Sequence, residues 1–276
     1  MGIFAFFKKL NETRKEINEK IKKDDAFVDF LFSLEDDSYE IDTENPYAGT
    51  FKPIPKFEMC EPLDEFINSL KRKPDKEVDY WSFIKRRGTT SLPESYIIFD
   101  LETTGLEPHA EGITEIAAIK FDHDEPIEYF HTYVNPEKRI SVKIEDLTGI
   151  TNDMVADAPT IDYVLPNFLK FIDKYTLVAH NASFDMSFLL DKMYNAGYKK
   201  LGNKSIDTLA LARKYIKDED TGKRLPSYKL EDLKYELCIP WKSVDKKSHN
   251  ALYDVKVTYF LYKKCLEEKE YNERFK

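Results

Sequence analysis

The sequence predicts an α/β fold in which a mixed β-sheet is flanked by helices. Three observations support this prediction. Runs of β-branched and aromatic residues, typical of strands, dominate residues 95–134. A further short apolar run at 177–179 lies between stretches whose apolar residues recur at helical spacing. Strands first, followed by helices that alternate with a strand, are typical of a mixed sheet with helices packed against it.

Four strands are predicted in chain order. The first covers residues 96–99, an unbroken apolar run. The second and third cover residues 113–121 and 127–134, and Asn135-Pro136 ends the latter. The fourth covers residues 177–179, which are short and apolar enough to be a buried strand.

Five helices are predicted from the periodicity of the apolar residues. They cover residues 160–172, 184–195, 208–216, 229–237 and 250–267. Gly197 follows the second of these and is its predicted C-cap, because glycine adopts the left-handed conformation that ends many helices. Residues 61–87 are predicted to form one or two further helices.

The first 90 residues are predicted to be a helical and acidic extension, separate from a domain at 91–276. Residues 1–23 carry seven Lys/Arg against three Glu, a net of +4. Residues 24–48 carry nine Asp/Glu and no Lys/Arg, a net of −9. Residues 35–60 are acidic, contain three prolines and are typical of a linker.

Two features of this extension suggest contacts with other molecules. Apolar residues near the N-terminus recur at helical spacing and predict a helix that packs on its own protein or a partner, with a membrane-surface helix as the alternative. These residues are Phe6, Phe7, Leu10, Ile17 and Ile21. Two basic clusters, residues 71–73 and 85–87, are either solvated faces or guides for a nucleic acid strand.

Composition narrows the class of protein. The formal net charge of −9 argues against broad, non-specific duplex binding, which usually needs a basic surface. Carboxylates that bind metal ions can still reverse the local potential. The three cysteines form no CxxC pair, so a reducing cytoplasm is expected. No apolar run reaches the roughly 20 residues of a membrane span, and the N-terminus lacks the order of a secretory signal.

The first chemical motif follows the first strand. Asp100 and Glu102 are two residues apart, so in a strand their side chains point to the same face, roughly 7 Å apart. Two carboxylates at this spacing can reach one cation or bridge two. An isolated pair would more often be surface carboxylates, but the apolar run before Asp100 puts this pair at the edge of a buried sheet. Gly105 then allows a close backbone approach.

The second and third motifs open helices. Asp185, in His180-Asn181-Ala182-Ser183-Phe184-Asp185, is predicted to lie in a first helical turn, where the helix dipole favours a carboxylate. Asp254 lies inside the last long helix, and His249 precedes that helix on a loop. Taken alone, each motif is also compatible with ordinary capping chemistry.

The three motifs together predict hydrolysis of a phosphodiester. In-line attack needs charge neutralised on the attacking and leaving oxygens, and two metal ions about 3.5–4 Å apart achieve this. Mg²⁺, or Mn²⁺ in its place, prefers oxygen ligands and keeps several waters, so few carboxylates suffice. A base must accept a proton from the attacking water, and an imidazole suits neutral pH.

These motifs resemble those of the DEDDh 3′→5′ exonucleases, a family of the RNase H-like superfamily. The resemblance covers about residues 96–265. Within the family, the sequence is most similar to bacterial DNA polymerase III proofreading subunits of the epsilon type and to the exonuclease domain within Gram-positive replicative polymerases. Further matching stretches are Glu115-Ile116-Ala117-Ala118, Leu147-Thr148-Gly149-Ile150-Thr151, Ala158-Pro159-Thr160 and Ile206-Asp207-Thr208-Leu209. The resemblance implies an RNase H-like mixed five-stranded sheet.

The resemblance also implies roles for individual residues. It implies that Asp100, Glu102, Asp185 and Asp254 hold two divalent metal ions and that His249 is the general base. Two further groups are implied to contact the substrate. Leu101, Thr103 and Thr104 would cradle the terminal nucleotide, and His180, Asn181 and Phe184 would line the path of the strand. Asn250 departs from the family, which often has Arg there.

The predicted function is release of nucleoside 5′-monophosphates from a single-stranded or frayed DNA 3′ end, in proofreading or repair. An RNA-trimming exonuclease with the same site is one alternative, because no motif reports on the 2′-hydroxyl. The other is a docking module with secondary nuclease activity, in which the extension binds a polymerase or clamp. A cytoplasmic location is expected and a membrane partner is not.

Overall fold

A computed structural model describes most of the chain. The described residues are 23, 26–34, 44, 47, 49–62, 64–73, 77–218, 221–237 and 250–275. The predicted helix near the N-terminus, Cys238 and His249 lie outside them. The chain divides into two compact units, one of residues 1–53 with 240–245 and one of residues 54–239 with 246–276.

The smaller unit contains a helical segment at residues 26–32. Its aromatic rings pack together: Phe27 and Phe30 lie 5.2 Å and 5.4 Å from Phe51, measured between ring centroids. The N-terminal extension thus contains helical structure at residues 26–32, within the part of it that the structure describes. The predicted boundary near residue 90 remains a prediction about which segment folds independently.

The larger unit is built on a six-stranded mixed sheet. Its strands are β1 (Arg87–Gly88), β2 (Ser95–Thr103), β3 (Ile113–Asp122), β4 (Glu125–Tyr133), β5 (Thr176–Ala179) and β6 (Lys204–Asp207). Their order across the sheet is β1-β6-β5-β2-β3-β4. β2, β3 and β4 pair antiparallel, whereas β1, β6, β5 and β2 run parallel. The predicted mixed sheet is confirmed, and a two-residue edge strand is added to it.

Nine helices are described in this unit. They are α1 (Asp64–Leu70), α2 (Tyr80–Phe83), α3 (Val142–Thr148), α4 (Asn152–Val155), α5 (Ile161–Ile172), α6 (Ser183–Asn195), α7 (Thr208–Tyr215), α8 (Leu230–Glu236) and α9 (Ala251–Phe275). The five predicted helices are all present, and α9 runs eight residues past its predicted end. None of the helices in the described part of the chain has both the length and the apolar character needed to cross a bilayer.

The core occupies both faces of the sheet, because β2 is apolar on both. Ile97 and Phe99 face α5 and α6, and the ring of Phe99 lies 6.1 Å from that of Phe168. Tyr96 faces α9, where its ring lies 5.2 Å from that of Tyr262. Burial on both sides is characteristic of a strand that runs inside a sheet. β2 is therefore held rigidly, and so are the acidic residues at its carboxyl end.

Part of the segment predicted as a linker is attached to the sheet. Phe57 donates its backbone N–H to the carbonyl of Tyr129 at 2.7 Å, and its ring packs against Phe130 and Phe171. The N–H of Cys60 donates to Oδ1 of Asn167 at 3.1 Å. The apolar residues among the prolines explain this difference, since Phe57 is half-buried and packs its ring against the core.

Candidate active site

A cluster of carboxylates lies where β2 leaves the sheet. Asp100, Glu102 and Asp254 each offer an oxygen, and these oxygens all lie within 4.8 Å of one another. Asp100 and Glu102 share one face of β2, as their spacing of two predicts. Carboxylate oxygens this close together would hold divalent cations of the kind that assist phosphodiester hydrolysis. The cluster therefore fits a divalent metal site.

Asp254 reaches the cluster because α9 begins next to β2 and β3. Asn250 caps this helix: its Oδ1 accepts the N–H of Tyr253 at 3.0 Å, and its carbonyl accepts the N–H of Asp254 at 2.9 Å. Asp254 thus stands in the first turn of α9. The position at which the family often has Arg is used here for helix capping.

Asp185 approaches the cluster from the opposite face of the sheet. It lies in the first turn of α6, is buried, and accepts the backbone N–H of Leu101 at 3.2 Å through Oδ1. Asn181 allows the chain to turn sharply from β5 into α6, since its φ is +59° and asparagine tolerates the left-handed region. Asp185 lies outside the group of three oxygens but beside Asp100.

The carboxylates disfavour one another's charge. Burial raises the pKa of Asp100 well above its usual range, and the charges of Asp185, Asp254 and Glu102 raise it further. Burial is also the first cause that raises the pKa of Asp185 to about 8 and that of Asp254 to about 7. The pKa of Glu102 rises for the same reasons, burial first. Groups with elevated pKa values that converge in one place are typical of functional sites.

Mn²⁺ or Mg²⁺ is expected to raise the melting temperature more at pH 8 than at pH 6. The folded-state pKa values of Asp185 and Asp254 are raised to about 8 and 7, so the cation-free protein loses stability as pH rises from about 4 through 8. Cations bind the deprotonated cluster and offset this loss, by roughly 2.7 kcal/mol at a hundredfold excess over Kd. Differential scanning fluorimetry at both pH values, with Ca²⁺-free buffer and EDTA as the baseline, measures the effect. Equal shifts at the two pH values would contradict it.

The side chains implied to cradle the terminal nucleotide are engaged inside the protein. Leu101 is buried in the core on the α5 and α6 face. Thr103 donates its hydroxyl to the carbonyl of Gly105 at 2.7 Å, and Thr104 donates to Oε2 of Glu111 at 2.5 Å. These bonds shape the loop after β2. A role of the three residues in binding a nucleotide remains a prediction.

His180 is tied into the fold through both ring nitrogens. Nε2 lies 2.9 Å from the carbonyl of Tyr228, which can only accept, so Nε2 carries the proton. Nδ1 lies 3.0 Å from the hydroxyl of Thr208. Burial lowers the pKa of His180, which favours the neutral ring. Phe184 packs its ring 5.0 Å from Phe188, and Asn181 is exposed at the same turn.

Sequence reasoning missed the importance of a buried pair, Glu115 and His131. Glu115 is fully buried on β3, directly opposite Glu102. Its carboxylate lies 2.7 Å from Nε2 of His131 and accepts the side-chain N–H of Asn250 at 3.2 Å and the backbone N–H of Ala251 at 3.0 Å. Glu115 thus joins the start of α9 to β3 through hydrogen bonds. In the sequence, Glu115 stood out only as a charged residue within an apolar strand and as part of a stretch that matches the family.

Lys234 was also missed. It is buried on α8, and its positive charge lowers the pKa of Asp254 against the larger upward effect of burial. Its Nζ lies 5.3 Å from the ring centroid of Tyr253. A lysine on the face of a short helix gives no sequence signal for this placement, since only packing against α9 makes it a neighbour of the cluster.

The sheet, with its acidic cluster beside an inner strand, has the architecture of a nuclease domain. The chain belongs to the RNase_T exonuclease family, which matches residues 97–262. The resemblance to the DEDDh exonucleases of the RNase H-like superfamily is thereby confirmed, and the chain carries an exonuclease domain.

Relatives with similar sequence include large DNA polymerases. The chain is 40% identical over 175 residues to the DNA polymerase III PolC-type of Bacillus cereus, covering 63% of this chain and 12% of that protein. It is 39% identical over 181 residues to the protein of the same name from Bacillus subtilis, with coverage of 63% and 12%. The match thus spans about 12% of the length of these relatives.

Solved structures with a similar fold include exonuclease I of E. coli. Its complex with a dT13 oligonucleotide superposes with a TM-score of 0.56 at 20% identity, covering 66% of this chain and 43% of that one. The zinc-bound form of its complex with single-stranded DNA gives a TM-score of 0.54 at 21% identity, with coverage of 62% and 40%. At such low identity the likeness shows a shared fold.

Proposed function

We propose that this protein is a 3′→5′ exonuclease that shortens DNA strands one nucleotide at a time during replication or repair. The observation that carries the proposal is the cluster of Asp100, Glu102 and Asp254 oxygens within 4.8 Å, in a chain of an exonuclease family. The name of the polymerase relatives and the DNA bound by exonuclease I support DNA as the substrate. Hydrolysis breaks the P–O3′ bond and releases a nucleoside 5′-monophosphate.

The carboxylates would hold two divalent cations, Mg²⁺ or Mn²⁺. Asp100, Glu102 and Asp254 form the cluster, and Asp185 completes it from the other face of the sheet. When bound, such cations neutralise charge on the attacking and leaving oxygens. The raised pKa values of these carboxyls support this role, because a cation relieves their mutual repulsion.

His249 is proposed as the general base that accepts a proton from the attacking water. It directly precedes Asn250, the cap of the helix that carries Asp254. In the second motif, His180, Asn181 and Phe184 are proposed to line the path of the strand, since all three lie at the turn from β5 into α6. Leu101, Thr103 and Thr104 are proposed to shape the pocket for the terminal nucleotide, with their hydrogen bonds and packing fixing the loop.

Cleavage of 5′-labelled single-stranded DNA and matching RNA tests the function. We expect a one-nucleotide ladder from the 3′ end with Mg²⁺ or Mn²⁺ and none with EDTA. DNA is expected to be cleaved faster, and faster cleavage of RNA would instead assign the site to RNA trimming.

His249→Gln is expected to lower kcat by about 10²–10⁴-fold, the usual range for a lost general base. The same variant should keep the metal-induced rise in melting temperature, which separates loss of the base from loss of the metal site.

The N-terminal extension is proposed to contact a polymerase or clamp. The support is the name of the relatives, DNA polymerase III PolC-type, together with the contrast of +4 and −9 net charge between residues 1–23 and 24–48. Deletion of residues 1–53 leaves the larger unit whole. Unchanged cleavage of free DNA with lost binding to the polymerase would support this role, whereas equal loss of both would contradict it.

A further inference from the structure

A basic surface with an exposed tryptophan lies at the β1 edge of the sheet. The basic surface comprises Trp81, Lys85, Arg87, Lys199, Lys200 and Lys204, all of them exposed. These residues come from two parts of the chain more than 100 residues apart. β1 pairs in parallel with β6, which sets Arg87 beside Lys204. The two basic stretches thereby become one surface.

Hydrogen bonds hold the two halves of this surface together. Nζ of Lys200 donates to the carbonyl of Ser82 at 2.6 Å, and Nη1 of Arg87 donates to the carbonyl of Gly202 at 3.2 Å. Nζ of Lys199 donates to the carbonyl of Ser69 at 2.8 Å. These acceptors are neutral, so the positive charges of the donors remain uncompensated. Among the described residues, none of the five cations forms an ion pair with a carboxylate.

The cations are close enough to affect one another. Partial burial is the largest cause that lowers the pKa of Lys200, and the charges of Arg87 and Lys85 lower it further. A cavity of about 660 Å³ opens on the same face and is lined in part by Lys199, Lys200 and Lys204. Concentrated positive charge around a concave surface attracts an anionic ligand.

Trp81 adds an exposed aromatic ring to this surface. Its side chain is 70% exposed, although tryptophan is one of the residues with most to gain from burial. Its ring contacts that of Tyr80 edge-on at 5.1 Å, and Tyr80 is anchored through its hydroxyl to Asp191 at 2.7 Å. Trp81 therefore has one anchored ring beside it, and most of its own ring faces solvent. An exposed aromatic ring among cations can stack on a base while the cations contact phosphates.

Arg86, next to Arg87 in the chain, links this edge of the sheet to the helix that carries Asp185. Nε of this residue donates to the hydroxyl of Ser183 at 3.1 Å, and Nη2 lies 3.6 Å from Oδ2 of Asp207. Ser183 begins α6, the helix that carries Asp185. A strand whose 3′ end lies at the carboxylates, at the carboxyl end of β2, would pass Ser183 and Arg86 to reach this surface, which lies toward the amino ends of β1 and β6.

We propose that the basic surface binds single-stranded nucleic acid at nucleotides upstream of the 3′ end, with a base stacked on Trp81 and phosphates on the cations. This inference rests on the proposed function in one respect, that the bound strand is the one whose end is cleaved. An acidic protein partner would use the charges as well, but it would not require the exposed tryptophan. The combination of ring and cations favours the nucleic acid.

Equilibrium binding in EDTA tests the proposal without cleavage. The probe is a fluorescent dT oligonucleotide of about 20 nucleotides, long enough to span more than one site of the usual size. Trp81→Ala is expected to weaken binding by about tenfold, the value of one base–aromatic stack. The double variant Lys85→Gln/Lys204→Gln is expected to reduce the slope of log affinity against log salt by about 1.4. Single strands give a slope of about 0.7 per neutralised phosphate, and this variant loses two such contacts. Lys85 and Lys204 make no side-chain hydrogen bond within the described residues, so this pair should leave the fold unchanged.

Matched controls on α9 separate the surface from general effects. Tyr271→Ala removes an aromatic ring that is 62% exposed, and Lys264→Gln/Lys269→Gln makes the same change in net charge. Both controls should bind as the unaltered protein does. In the cleavage assay, Trp81→Ala should raise KM for the long oligonucleotide about tenfold and leave kcat unchanged.

Unchanged binding and salt slope in both surface variants would overturn the proposal, whether or not the protein cleaves DNA. Loss of affinity in the lysine pair alone would overturn stacking on Trp81. If the surface variants show the expected changes in binding but the protein never cleaves DNA, the proposed binding surface is supported and the proposed catalytic function is contradicted. The failure of one proposal is therefore distinguishable from the failure of the other.

Discussion

Replacing Asp254 with asparagine is expected to slow 3′-end cleavage by at least about a thousandfold. A bound cation supplies several kcal/mol of transition-state stabilisation, and each 1.36 kcal/mol is a factor of ten in rate. The asparagine side chain would keep the size of the aspartate but remove the charge that the cations need. The oxygens of Asp100, Glu102 and Asp254 lie within 4.8 Å of one another, so loss of one leaves the metal site incomplete.

The same variant is expected to be at least as stable as the unaltered protein without cations at pH 8. Burial raises the pKa of Asp254 to about 7, so at pH 8 the folded protein holds a charge that it disfavours. The amide carries no such charge. Single-turnover cleavage and thermal melts in EDTA measure the two effects. Asp153→Asn, an exposed residue in the first turn of α4, is the matched control and should alter neither.

A loss of rate that came with a large drop in melting temperature would mean that Asp254 supports the fold instead. A retained rate would refute its place in the metal site. The metal-induced rise in melting temperature gives a third measurement, because it should shrink in Asp254→Asn even if cleavage cannot be detected.

Replacing Glu115 with alanine is expected to destabilise the fold by about 3–5 kcal/mol, the cost of breaking a buried, hydrogen-bonded charge network. Glu115 is fully buried and joins His131, Asn250 and the N–H of Ala251. Without it these donors lose their acceptor, and α9 loses its attachment to β3. Chemical denaturation at pH 7.5 measures the change in the free energy of unfolding.

Glu115→Gln separates the shape of this residue from its charge. Glutamine can still accept the N–H of Ala251 and should cost about 1–2 kcal/mol, a smaller loss. A double-mutant cycle with His131→Ala should give a coupling energy of about 1–3 kcal/mol, as residues in one hydrogen-bond network do. Additive effects of the two substitutions would contradict the network.

Glu115 also determines where Asp254 stands, because it fixes the first residue of α9. A displacement of about 1 Å at a reacting group can cost roughly a hundredfold in rate. We therefore expect Glu115→Gln to reduce kcat more than its modest loss of stability suggests. The cleavage assay at a temperature well below the melting point of the variant measures this.

Local patterns in the sequence determined most of the fold. The apolar run before Asp100 predicted a strand at 96–99 in a buried sheet, and the strand exists as Ser95–Thr103. The helical periodicity predicted α5, α6, α7, α8 and α9, but not the short helices α3 and α4. The spacing of Asp100 and Glu102 predicted two carboxylates on one face. These are properties of neighbouring residues, since strand alternation and helix period act over a few residues.

Only the tertiary structure decided which distant residues meet. β1 and β6 were not predicted, since neither contains an unbroken apolar run, and each is a strand because it pairs with a neighbouring strand. Glu115 was a charged residue in an apolar strand, within a stretch that matches the family, until β4 and α9 brought it three partners. Trp81 and Lys200 are 119 positions apart and share a surface only because β1 pairs with β6. Contacts at such separations depend on packing of the whole chain, so the carboxylate motifs were predictable from sequence, whereas the residues that fix and extend the site were not.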